Sequence, residues 1–498
     1  MEHKHERHEL KKTFSPMQIW ALALGCIIGW GAFILPGIRF LPNTGPMAAV
    51  LGFFIGGIML VFVALSYGKM IEHCPVAGGE FAYAYVGFGP TMAFICGWAL
   101  VLGYMCIIAL NATAIILLTR FLLPGVFDWG YMYTIAGWDV QMGELILVSA
   151  VILLFGIINY RGVAIAGKFQ LFLAIALVTG ILVFFTSAVV APTTHIGNLE
   201  PFFAPGNTKL VSVAATVAIA PWLFVGFDTV PQAAEEMNFP HSMSSRLMVV
   251  AIICGAACYA LVTLGVGMVI PYPELLAMNS PWATGTVAVM TMGKAGTLVL
   301  AIAVLAAILT GMNGFYIATS RLIFSMARSK FLPGWFARVH PKFHSPCNAI
   351  MFCAGTCLIA PWFGREALNW VVDMSAVGTV VAYALTAMTA YKLAAHMKLV
   401  DEVSSKIYAI LGTLASLLCL ALLTVPISPA AISYQSWIAL GGWGFLGGLF
   451  YGLIAKDLRS RSAKEHNYLI LGDECKEVFY DTGKVDKNAG VKVMPQAD

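Results

Sequence analysis

Apolar stretches of about twenty residues follow one another along almost the whole chain, parted by short polar loops. They centre on residues 16–41, 45–70, 92–118, 142–159, 168–191, 211–234, 247–270, 296–326, 348–364, 368–393, 406–425 and 435–455. Since a helix needs roughly 20 apolar residues to cross the hydrocarbon core of a bilayer, the pattern predicts about 12 transmembrane helices. Barrel strands would instead alternate lipid-facing and lumen-facing residues at every second position. The expected class is therefore an all-α membrane protein. The apolar run after Lys12 is too long for the core of a cleavable leader, and no small-residue cleavage site closes it, so the first span is expected to stay in the bilayer.

Two spans break the pattern at corresponding places. The first carries Ile27-Ile28-Gly29-Trp30-Gly31-Ala32-Phe33, and the sixth carries Trp222-Leu223-Phe224-Val225-Gly226-Phe227-Asp228. Non-helical backbone at membrane depth persists only where protein or a water-filled cavity covers it, so paired glycine breaks point to a transporter's binding site. The breaks lie five helices apart. An odd number gives the two halves opposite orientation, which predicts a five-plus-five inverted repeat with broken helices 1 and 6. On this reading residues 1–15 are a cytoplasmic tail and 16–400 the ten-helix transport core. Residues 401–456 add two further spans, and 457–498 form a second cytoplasmic tail. Within that tail, Tyr468-Leu469-Ile470-Leu471 and Val478-Phe479-Tyr480 read equally as a small hairpin or as disordered chain.

Composition agrees: 59% of residues are hydrophobic and 11% charged, against roughly 25% charged in soluble domains. Lys and Arg gather on the side that carries both termini, from Lys4 through Arg246 and Arg338 to Lys464, while the opposite side has Arg39, Arg120, Lys209, Lys294 and Arg365. This bias puts both termini in the cytoplasm of a multi-pass cell (inner) membrane protein. It also accounts for the net charge of +4 without a nucleic-acid partner. The 11 cysteines are scattered, and Cys254/Cys258 and Cys353/Cys357 at i,i+4 spacing suit helix packing. His340, His344 and Cys347 belong to a solvated loop, and no metal or cofactor is expected. No His-Glu-x-x-His, Gly-x-Ser-x-Gly or Walker loop is present, which argues against an enzyme or an energised pump.

At the first break, the helix resuming at Ala32 would offer amides and a positive dipole end to a carboxylate, although two glycines also suit close helix packing. At the second, an acid inside a span is costly and is a functional candidate by default, so Asp228 is the proton-coupling candidate. Trp30, Trp222, Phe224 and Phe227 surround the two breaks, and aromatic faces can hold an ammonium group.

Four segments in order resemble the amino acid–polyamine–organocation permeases. Gly29-Trp30-Gly31-Ala32-Phe33 is similar to the family's Gly-Ser-Gly-Ile-Phe break, and Pro75-Val76-Ala77-Gly78-Gly79-Glu80-Phe81 to its Pro-x-Ala-Gly-Gly-x-Tyr loop. Phe224 to Asp228 with Glu235-Glu236-Met237-Asn238-Phe239-Pro240 resembles its sixth-span pattern. Ser320-Arg321 through Arg328 and Leu332-Pro333 resembles its eighth-span segment. The resemblance implies a LeuT-like secondary transporter with alternating access. It implies a solute site of Ile28, Gly29, Trp30, Gly31, Ala32, Trp222, Phe224, Val225, Gly226 and Phe315, with the carboxylate on the first break and the amino group on the sixth. Trp222 and Asp228 align with a stacking gate and a proton sensor of one family exchanger. Three positions depart: Trp30 replaces a small serine, Lys69 stands where Glu is common, and Leu177 occupies the place of a coupling lysine that Lys168 cannot supply.

The expected function is movement of an amino acid or biogenic amine, proton-coupled or by exchange with a counter-substrate. The alternatives are a Na⁺-coupled symporter using Thr319, Ser320 and the Ile27 carbonyl, or a sensor or channel on the same fold. The oligomeric state is not legible.

Overall fold

Ser15 starts the first helix. Its side chain accepts from the Gln18 amide, Gln18 Oε1 accepts from the Ser15 amide at 2.9 Å, and Pro16 takes the first helical position. The helix Pro16–Ile27 stops where Ile28 turns to an extended conformation, and Gly31–Thr44 continues 43° away. The computed structural model describes residues 10–278, 282–396, 402–426, 428 and 431–472.

Among the described residues nine helices are long and apolar enough to cross a bilayer, and the bent first pair makes ten. They are Pro46–His73, Pro90–Leu122, Met142–Tyr160, Ala164–Val190, Met243–Val269, Ala283–Arg328, Val372–Ala395, Glu402–Thr424 and Tyr434–Leu458. The chain is thus an all-α multi-pass membrane protein. Its surface fits that setting: Leu453, Phe445, Ile438 and Leu449 on the peripheral Tyr434–Leu458 helix are exposed apolar side chains, as a bilayer-facing surface requires.

Two of the 12 expected spans are not membrane-length helices. Residues 211–234 form three pieces, Lys209–Val217, Ala220–Leu223 and Thr229–Gln232, because Gly226 takes a φ of +141° between the last two. Residues 348–364 give the 11-residue helix Cys347–Cys357 and a single turn Ala360–Phe363. The expected span 296–326 starts earlier, at Ala283, and kinks at Gly293. An antiparallel hairpin, Tyr131–Ile135 with Trp138–Gln141, was not foreseen in the loop after Pro90–Leu122.

The Tyr468–Leu471 segment is helical, not a strand. Ser462 caps Ala463–Leu471 by accepting from the Glu465 amide, while Val478–Tyr480 lie outside the described residues. Leu10 packs with Ala77 and Phe324, and the His466 ring lies tilted beside those of Tyr85 and Phe331, so both described ends lie at the same end of the molecule.

Candidate functional site between the two helix breaks

The breaks that stand far apart in sequence touch in space. A Cβ on Gly226 would lie 2.5 Å from the Cys26 carbonyl carbon and the Ile27 nitrogen, and its φ of +141° is one that side chains rarely adopt. Only glycine lets the two backbones approach so closely. The Tyr259 hydroxyl, on Met243–Val269, straddles the junction at 3.1 Å from the Ile27 carbonyl and 3.2 Å from that of Leu223. Gly31 makes room for Trp222, whose indole packs against it.

Between the breaks lies a cavity of about 40 Å³, lined by Cys26, Ile27, Gly29, Trp30, Gly31, Ile107, Leu110, Asn111, Trp222, Val225, Tyr259 and Phe315. It has room for water but not for a solute of amino-acid size while Trp30 and Trp222 hold these positions. Trp30 also lines two larger cavities, of about 310 and 360 Å³, and Trp222 lines the second with Arg39 and Asp373. The two tryptophans therefore separate the inner cavity from the outer space.

Of the expected solute-site residues, Gly29, Trp30, Gly31, Trp222, Val225 and Phe315 line this cavity. Ile28, Ala32 and Phe224 are buried behind it, Phe224 against Tyr259, and Gly226 forms the backbone contact. Sequence reasoning missed Asn111 and Tyr259. Asn111 donates to the Ile107 carbonyl at 3.0 Å, yet its Oδ1 is buried with no hydrogen-bond partner among the described residues. A lone amide within an apolar run was the available signal.

Asp228 does not line the cavity. It is fully buried behind Phe315, where Oδ1 accepts from the Gly226 amide at 2.7 Å and Oδ2 from the Tyr104 hydroxyl at 2.9 Å. The Tyr104 and Phe315 rings are 5.5 Å apart and link the acid to the cavity wall. Glu80, also fully buried, takes the Gln232 amide at 2.5 Å on Oε2 and lies 3.4 Å from the same Tyr104 hydroxyl through Oε1.

A family model described as "Amino acid permease" matches residues 14–449. The chain belongs to the amino acid permease family, within the amino acid–polyamine–organocation superfamily. It is therefore a transporter and not an enzyme. The permease is 27% identical to a methylthioribose transporter of Bacillus subtilis, over 87% of this chain and 92% of the relative. It is 26% identical to the branched-chain amino acid permease BcaP of the same organism, over 69% and 73%. It is also 26% identical to a vacuolar cationic amino acid transporter of Arabidopsis thaliana, over 76% and 63%.

At the end carrying both described termini, the permease is latched. Arg321 pairs with Glu236 and Arg328 with Glu235, each at 2.8 Å and all four buried. The Leu10 and Ala77 amides also reach Glu235, the Thr13 and Phe14 amides reach the Glu236 carbonyl, and Ser325 donates to the Ala77 carbonyl. The loop, sixth-span and eighth-span segments singled out in the sequence thus converge on one network.

The oxygens considered for Na⁺ are engaged separately. Thr319 donates to the Phe315 carbonyl, the Ile27 carbonyl takes Tyr259, and Ser320 Oγ accepts from the Arg321 guanidinium at 2.8 Å. A fixed cation at Ser320 opposes a second one there. Leu177 is buried, Lys168 exposed, and the polar group that their helix places in the core is Gln170. It bonds the Ala21 and Thr310 carbonyls and takes the Asn313 amide.

Proposed function

We propose that the permease is a secondary transporter for a neutral amino acid, taken up between the two helix breaks and moved by alternating access. The observation that carries this is the inner cavity: two broken helices enclose it, two tryptophans cap it, and among the described residues no charged side chain lines it. The relatives are named for methylthioribose, branched-chain amino acids and cationic amino acids. A cationic side chain would meet no acid in this lining, whereas Ile107, Leu110, Val225 and Phe315 suit a branched apolar one. Asn111 Oδ1 is the open acceptor for the ammonium group, and the amides of the first break are the donors for the carboxylate, that of Ala32 on leaving the Gly29 carbonyl it bonds at 3.2 Å.

The frame for this cycle is five-plus-five helices with two more after residue 400, counting 211–234 and 348–364 as broken or short spans. An even number of spans accords with both described ends lying on one side, and the Lys/Arg bias makes that side cytoplasmic. The latched cytoplasmic end and the cavities outside Trp30 accord with a state closed to the cytoplasm. Coupling is to protons through Asp228, or by exchange; the engagement of Ile27, Thr319 and Ser320 speaks against Na⁺.

Counterflow in proteoliposomes tests the class. Saturable exchange of labelled L-leucine, L-valine or L-methionine is expected. A complete absence of exchange across all proteinogenic amino acids, with folded protein in the vesicles, overturns it.

A further inference from the structure

Two carboxyl groups with no exposed surface, Glu80 and Asp228, meet at one hydroxyl. Tyr104 stands between them and has a single proton to give. Asp228 Oδ2, at 2.9 Å, is the nearest acceptor, and the Asp228 carbonyl oxygen lies at 3.2 Å. Glu80 Oε1, at 3.4 Å, faces the hydroxyl oxygen, whereas Glu80 Oε2 takes the Gln232 amide. Two ionised carboxylates sharing so dry a site repel each other, and such pairs keep a proton.

Among the described residues the surroundings supply no compensating cation. Tyr104 and Cys96 face the pair from Pro90–Leu122, Tyr67 from Pro46–His73, Tyr383 from Gly364–His396, and Cys26 from the first helix. Gln232 and Thr229 complete the wall on the sixth-span pieces. Arg321 and Arg328 are committed to Glu236 and Glu235.

We propose that Glu80 is the missing half of an acid pair, holding one proton with Asp228 through the Tyr104 hydroxyl. In one arrangement the Glu80 carboxyl donates to Tyr104 Oη and Tyr104 donates to Asp228. In the other, every donor reverses and the proton sits on Asp228. The proton moves without any charge leaving the site. Glu80 begins the Glu80–Phe88 helix directly after the loop whose Ala77 amide joins the Glu235 latch, while Asp228 touches Gly226 at the cavity break. The pair therefore connects the latch to the solute site. The idea rests on the proton-coupled reading of Asp228 for its use in transport, though the shared proton itself does not.

The test is infrared difference spectroscopy of the purified full-length permease across a pH titration, following the C=O stretch of buried protonated carboxyl groups. Wild type should show one such band at neutral pH. The Glu80→Gln and Asp228→Asn variants should each lose it, because the remaining acid keeps its hydrogen-bond donors and has no like-charged neighbour. Tyr104→Phe, which keeps both acids, should shift the band. A band that persists unchanged in either acid variant, or that ignores Tyr104→Phe, overturns the shared proton. If Glu80→Gln does not fold, Asp228→Asn and Tyr104→Phe still decide. If the band behaves as stated but Asp228→Asn leaves the pH profile of L-leucine uptake unchanged, proton coupling fails while the shared proton stands.

Discussion

The indole of Trp222 rests against Gly31: its Cη2 lies 3.1 Å from the point where a Cβ on Gly31 would stand. This contact joins the sixth-span break to the first and sets the clearance over the cavity. Gly31→Ala should push Trp222 outward by a few tenths of an ångström and lower solute affinity about tenfold, or ~1.4 kcal/mol. Binding titrations of wild type and variant check this, and equal affinity would show that the contact is only packing.

Gly226→Ala should act on folding instead. Its Cβ would enter the Cys26–Ile27 backbone, which cannot yield as a side chain does. Strain and overpacking together should cost about 3 kcal/mol or more. The readout is the melting temperature and the fraction of monodisperse protein, and a native-like melt would refute the contact.

Asn111→Asp places an acid beside the first break without changing side-chain size. Lysine, arginine or agmatine should then compete with neutral amino acids in uptake assays, where wild type excludes them. An unchanged competition profile would remove Asn111 from the site.

Removing one partner of the buried Arg321–Glu236 pair leaves an uncompensated charge. Glu236→Gln should destabilise by about 3–5 kcal/mol, and the double variant Arg321→Met with Glu236→Gln should recover part of that loss. Equal melting temperatures for the single and double variants would mean that the pair is not coupled.

Much of this was legible in the chain. Glycines inside apolar runs announced both breaks, and Asp228 stood out as an acid in a span. Pairings between distant segments were not legible. Tyr259 over Ile27 and Leu223, and Glu80 through Tyr104 to Asp228, join residues that share no local pattern. The split of 211–234 into short pieces depends on close backbone contact with Cys26 and Ile27, which hydrophobicity does not encode. The Ala463–Leu471 helix was signalled by Ser462 and Glu465 at capping-box spacing, but the apolar residues that follow suggested a strand.

The most direct test of the central claim, a solute held between the two breaks, is a thermal-shift panel of amino acids and amines on wild type and Trp222→Ala. A ligand that binds only the folded state raises its melting temperature. At least one neutral amino acid should stabilise wild type, with Trp222→Ala needing at least about tenfold more of it for the same shift, ~1.4 kcal/mol of lost binding. A stabilising solute whose concentration dependence is identical in the two proteins would contradict the account.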